Sequence, residues 1–167
     1  MLKPKLFGAD TNFLMDLADE RESAWSSWEV GKQRGHSFLI FPVVAGELFH
    51  LSEKGQSKEK VLASFALERA ISEWKFTPRD LSDTEEEIAR LGAENLLHED
   101  ILPEKEFNDA FLVCQAAVAG VPCILSNDAH LKDCDQQRLQ AVLQDRELSP
   151  VIIFRYGSYI RSFGTRR

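Results

Sequence analysis

The feature that most restricts the fold is a repeated pattern. Short, nearly all-apolar runs each end at a polar residue and give way to a stretch of helical periodicity. Lys5-Leu6-Phe7-Gly8-Ala9 ends at Asp10, after which Phe13, Leu14, Leu17 and Ala18 recur at helical spacing. Phe38-Leu39-Ile40-Phe41 is closed by Pro42, and the chain then reads as helix through Ser52. Pro122-Cys123-Ile124-Leu125 runs into Ser126-Asn127-Asp128, with one helical stretch predicted over about Ala129 to Arg146, and Val151-Ile152-Ile153-Phe154 is a last strand. Continuous apolar strands are buried on both faces, and strands alternating with helices build a mainly parallel sheet. The expected architecture is therefore α/β, a three-layer α/β/α sandwich.

The remaining segments fit that plan. A helix over about Arg21 to Arg34 places Trp25 and Trp28 on one face before Gly35 stops it, either in the core or in a groove for a partner helix or dimer mate. Ser57 starts a helix with an apolar stripe, Lys75-Phe76-Thr77-Pro78 allows a short strand, and Ser82-Asp83-Thr84-Glu85 opens an acidic helix. Phe107-Asn108-Asp109 precedes a helix from Ala110 to Ala119 whose small residues permit close packing. A length of 167 residues suits one domain, residues 1–167, with a core of about 5–155 and a tail of 156–167 in which Gly164-Thr165-Arg166-Arg167 is frayed. Without an apolar run of roughly 18 residues, and with Met1-Leu2-Lys3-Pro4 leading straight into a strand, the chain reads as soluble and cytoplasmic, with no membrane partner. Cys114, Cys123 and Cys134 form no C-x-x-C pair and read as reduced thiols.

Charge carries the functional question. Lys and Arg total 20 against 27 Asp and Glu, a net charge of −7, the wrong sign for a protein that holds nucleic acid on a broad basic surface. That objection lapses if the acids surround a divalent cation, which inverts the local field. In parallel sheets reacting groups lie beyond the carboxyl ends of the strands. Asp10 and Asp128 follow two strands, Asp109 lies near the start of a helix, and Glu47 sits inside the helix after Pro42. An Asp at a strand-to-helix junction also reads as an N-cap, but Glu47, flanked by Val43, Val44, Leu48 and Leu51, cannot be one. Each like-charged pair at 4 Å costs on the order of 4 kcal/mol at an effective dielectric of about 20, so four clustered acids call for a cation. Carboxylate oxygens suit Mg²⁺ or Mn²⁺, ions that activate a water and stabilise the leaving oxygen of a phosphodiester.

Four segments carry a family resemblance: Ala9-Asp10-Thr11-Asn12-Phe13-Leu14, Val44-Ala45-Gly46-Glu47-Leu48, Asn108-Asp109-Ala110-Phe111-Leu112-Val113 with Gln115-Ala116-Ala117, and Leu125-Ser126-Asn127-Asp128-Ala129-His130-Leu131. Their acids are separated by 37, 62 and 19 residues. The sequence resembles the PIN-domain family, which includes ribonuclease toxins of the virulence-associated protein C type, over about Leu6 to Phe154. The resemblance implies that Asp10, Glu47, Asp109 and Asp128 are the catalytic and metal-binding acids and that Ser126 is the small hydroxyl residue before the fourth of them. It further implies cleavage of RNA to a 5′-phosphate and a 3′-hydroxyl, and an antitoxin protein as partner. Asn12 and Asn127 are supporting candidates, as helix-start and loop residues near the metal. The surplus length around Lys75 to Glu99 and the absence of a basic surface depart from the compact toxins.

Other readings bear on the same residues. Glu47-Leu48-Phe49-His50 spells the E-x-x-H of di-iron bundles but lacks a second copy, so His50 reads as structural. His36, His98 and His130 read as surface residues. A phosphatase of the haloacid dehalogenase type needs a second Asp where Asn12 stands. Lys32, Arg34, Lys132, Arg138, Arg155 and Arg161 are candidate phosphate contacts or solvated charges. A catalytically inert PIN-fold module that binds a protein, a homodimer, and DNA in place of RNA remain open alternatives.

Overall fold

The computed structural model describes residue 3 and residues 5–164. The first apolar run forms β1 (Leu6–Ala9), followed by α1 (Thr11–Ala18) and α2 (Glu22–Arg34). Next come β2 (Ser37–Ile40), α3 (Pro42–Lys54), α4 (Ser57–Arg69), the two-residue β3 (Thr77–Pro78) and α5 (Asp83–His98). The second half holds α6 (Phe107–Val118), β4 (Cys123–Leu125), α7 (Ala129–Lys132), α8 (Gln136–Asp145), β5 (Ile152–Phe154) and α9 (Tyr156–Phe163). All strand pairings are parallel and the order is β3-β2-β1-β4-β5. Helices cover both faces, giving the expected three-layer α/β/α sandwich.

That order fixes where a site can be. The chain winds outward from β1 through β2 to β3, then returns to place β4 on the other side of β1. Connections leave β1 and β4 toward opposite directions, so a crevice opens at their carboxyl ends. Phe7, Ala9, Ile124 and Leu125 in these strands are fully buried, which makes the floor of the crevice rigid.

Local chemistry explains the element ends. Ser82 closes a capping box with Glu85, and Gly35 stops α2 in the left-handed region at φ 68°. Gly31 lets α2 approach the sheet: a Cβ there would stand 2.5 Å from the Phe38 ring and 3.0 Å from the Tyr159 hydroxyl.

Several expectations need correction. The single helix over 129–146 is two, because Asp128 and Asp135 each accept from two backbone N–H groups ahead of them and so start α7 and α8 separately. The supposed tail from 156 is largely α9, which buries Tyr156, Tyr159 and Phe163 and packs on α2. Gly164 caps it, whereas residues 165–167, like 1, 2 and 4, lie outside the described residues. His36 is a core residue and not a surface one: it is 7% exposed, and its Nδ1 lies 2.8 Å from the Tyr159 hydroxyl. Trp25 and Trp28 meet edge to face and pack onto the core, their indole N–H groups donating to the carbonyls of Leu17 and Trp74. Among the described residues no helix is long and apolar enough to cross a membrane.

Candidate active site

Four separate segments deliver acids to the crevice between β1 and β4. Asp10 leaves β1 at the N-cap position of α1, yet its side chain makes no capping bond. It is 4% exposed and takes a hydrogen bond at 2.5 Å from the hydroxyl of Ser126, itself fully buried just after β4. The same Ser126 oxygen accepts from the Asp128 backbone N–H at 3.0 Å, so one hydroxyl ties the β4 loop to the end of β1. Asp128 caps α7 with Oδ1, while Oδ2 accepts from Asn12 at 3.4 Å.

Glu47 projects from α3, whose Val44 and Leu48 are buried and so fix the register of that helix face. Its Oε2 accepts from the Thr11 hydroxyl at 3.2 Å. α6 begins at Phe107, three residues earlier than expected, which places Asp109 inside the first turn and not ahead of it. Asp109 Oδ2 is buried and has no hydrogen-bond partner. Asp10, Glu47, Asp109 and Asp128 all line one cavity of about 250 Å³.

The electrostatics follow from that crowding. Burial, with repulsion from Asp128 and Glu47 added and the Ser126 hydrogen bond opposing, pushes the Asp10 carboxyl up to about 7. Asp109 rises to about 8, first through burial and then through the charges of Asp10, Asp128, Glu106 and Glu47. Burial also raises Glu47, with the Thr11 hydrogen bond working against it. Among the described residues, however, no three His, Cys, Asp or Glu side chains are gathered tightly enough to hold an ion as they stand. The cavity is thus a shared acidic pocket whose walls are in place, not a formed coordination sphere. The donor set still fits a hard divalent cation: it is all oxygen, and it leaves one buried carboxylate oxygen without any partner in the protein.

The supporting candidates separate. Ser126 and Asn12 touch the acids, whereas Asn127 points away and its Oδ1 accepts from the Tyr156 backbone N–H at 2.9 Å. Lys105 and Glu106 also line the cavity and were not foreseen. Glu106 precedes α6, and its Oε1 lies 3.1 Å from His130 Nε2. Nothing in its local sequence sets it apart from a solvated charge; the fold brings it to the cavity. Most of the basic phosphate candidates serve the fold: Arg34 donates to the Phe163 carbonyl, Arg138 to the Glu99 carbonyl, Arg155 pairs with Asp133, and Lys32 lies over the Trp28 ring.

The fold and pocket define an α/β/α domain with an acidic crevice at its switch point. No family model and no curated protein sequence matches the chain. Among solved structures, a chain of VapBC2 from Rickettsia felis, crystallised bound to a DNA fragment from its promoter, shares the fold. The TM-score is 0.63 at 14% identity, over 90% of this chain and 98% of that one.

Proposed function

We propose that the chain is a divalent-metal-dependent nuclease that hydrolyses RNA phosphodiester bonds. The observation that carries this reading is the buried, unpartnered Asp109 Oδ2 in a cavity that Asp10, Glu47 and Asp128 also line. Four acids from four segments, with carboxyls of Asp10 and Asp109 pushed toward neutrality, are costly to assemble for structure alone. Asp10, Asp109 and Asp128 would hold Mg²⁺ or Mn²⁺, with Glu47 as a further ligand or an orienter of water. When bound, the ion supplies Lewis acidity toward a phosphate oxygen and lowers the pKa of water.

The chain's own groups do the remaining work. Ser126 fixes Asp10 and Asp128 relative to each other, and Thr11 holds Glu47. Glu47, with its raised affinity for a proton, can accept one from the attacking water. In the overall reaction the water oxygen bonds to phosphorus and the P–O3′ bond breaks. The proton ends on O3′, giving a 5′-phosphate and a 3′-hydroxyl. The VapBC2 neighbour supports an antitoxin-like protein partner as an extension of this reading.

The test is Mn²⁺-dependent cleavage of an unstructured oligoribonucleotide by the wild type and by Asp109→Asn. The variant is expected to lose at least about 100-fold in rate while keeping the wild-type circular dichroism spectrum. Equal rates would remove the assignment. A second reading, an inert module that uses the fold to bind a protein, draws on the spacing of the acids, which are not drawn together as they stand.

A further inference from the structure

The acids explain chemistry but not how a chain of net charge −7 keeps hold of a polyanion. The cavity at about 250 Å³ is smaller than the roughly 300–1,000 Å³ of a typical small-ligand pocket. It has room for a phosphodiester group and an ion, so the bases of a bound strand must rest outside it. Of the residues lining the cavity, Lys105 is the one cation and Phe107 the one aromatic, and both stand where the chain enters α6. Lys105 is exposed, and among the described residues it takes part in no salt bridge, unlike Arg21, Arg69, Arg79, Arg90 and Arg155. Phe107 is half-buried, its ring 5.5 Å from that of Phe111, which backs it as a platform.

We infer that Lys105 and Phe107 form a nucleotide subsite at the mouth of the acidic cavity. Phe107 stacks a base next to the scissile phosphate, and Lys105 contacts a neighbouring phosphate. A base can lie on Phe107 only when it is out of a duplex, so the subsite takes an unpaired strand. Aromatic stacking of this kind tolerates any base, and one lysine contact adds affinity without sequence preference. The inference rests on the nuclease reading for its choice of ligand, but it concerns binding and can be tested without turnover.

The probe is a fluorescein-labelled 12-nucleotide oligouridine, followed by anisotropy in EDTA, with the same strand annealed to oligoadenosine as the duplex control. Lys105→Ala is expected to weaken binding of the single strand roughly tenfold and to reduce the slope of log K against log salt by about 0.7. Phe107→Leu, which keeps apolar bulk for the core, is expected to weaken it by a similar factor, with Phe107→Tyr restoring most of it. Lys105→Arg should bind as the wild type does. In Mn²⁺-supported cleavage both losses should fall on KM, with kcat within about twofold. Wild-type affinity in Lys105→Ala and Phe107→Leu, or tighter binding of the duplex than of the single strand, overturns the subsite. Absence of cleavage by the wild type, with these binding losses intact, would instead sink the nuclease reading and leave the subsite standing.

Discussion

At the level of single residues the site is a set of anions held together against their own repulsion. Asp109 shows the cost most directly, because Oδ2 is buried without a donor. Its carboxyl keeps a proton in the folded protein up to about pH 8, whereas the unfolded chain releases it near the ordinary value of 3.8. Between those limits the unfolded state binds fewer protons than the native one, so this residue's contribution to stability falls as pH rises from about 4 to about 8. Asp109→Asn carries no such penalty. In EDTA its melting temperature is expected to exceed the wild type's by about 3–6 °C at pH 7.5 and to match it near pH 4.5, after discounting the shift for the group's partial exposure. Differential scanning calorimetry at the two pH values checks this, and a gain independent of pH would mean that burial and repulsion of the ionised carboxyl are not the cause. All four acids were legible in the sequence because three stand beside the end of an apolar strand or the start of a helix and the fourth sits on a helix too apolar to need it. Lys105 and Glu106 were not legible, since nothing in their local pattern separates them from solvated charges; only the placement of α6 beside α3 and β4 brings them to the pocket.

At the level of elements, the site is as rigid as the junctions that meet beneath it. The apolar runs announced β1, β2 and β4 correctly, because a strand buried on both faces has no alternative to continuous hydrophobicity; β5 is equally apolar although Ile152 is 51% exposed at the sheet edge. What the sequence hid is the role of the last helix. Tyr156, Tyr159 and Phe163 do recur at helical spacing, but the segment is only eight residues long and the burial that defines it comes from α2 and the sheet, so it read as a tail. In the fold, α9 is a clamp: the Tyr156 N–H donates to Asn127 in the loop after β4, and the Tyr156 hydroxyl donates to Asp16 on α1 at 2.7 Å. It thereby joins the two segments that carry Asp128 and Asp10. Asn127→Ala leaves the Tyr156 N–H without its acceptor, at a cost of about 1 kcal/mol or roughly 2–4 °C in melting temperature. Because the loop that holds Asp128 is released as well, the Mn²⁺ concentration for half-maximal cleavage is expected to rise several-fold, with Tyr156→Phe moving both quantities in the same direction. Melting and metal titration on the same samples decide it: a lower melting temperature with unchanged metal demand would confine the clamp to stability.

For the whole molecule, acidity, metal and substrate are one problem. With seven excess negative charges the chain holds a nucleic acid most weakly while the crevice at β1 and β4 is not neutralised, and among the described cavity residues Lys105 alone offsets the acids. A cation that binds the native pocket and not the unfolded chain stabilises by mass action, about 2.7 kcal/mol at 100 times its dissociation constant, or roughly 5–10 °C for a domain of this size. Binding requires ionised carboxylates, so the ion competes with the protons that Asp10 holds up to about pH 7 and Asp109 up to about pH 8. The rise in melting temperature on adding millimolar Mn²⁺ is therefore expected to be small at pH 6 and to grow steadily to pH 8, opposite in sign to the loss that alkaline pH causes in EDTA. Asp109→Asn should weaken both trends and leave the part that Asp10 contributes. A melting temperature indifferent to Mn²⁺ across this range would favour the inert binding module, because acids arranged for a cation cannot ignore it once their protons are gone.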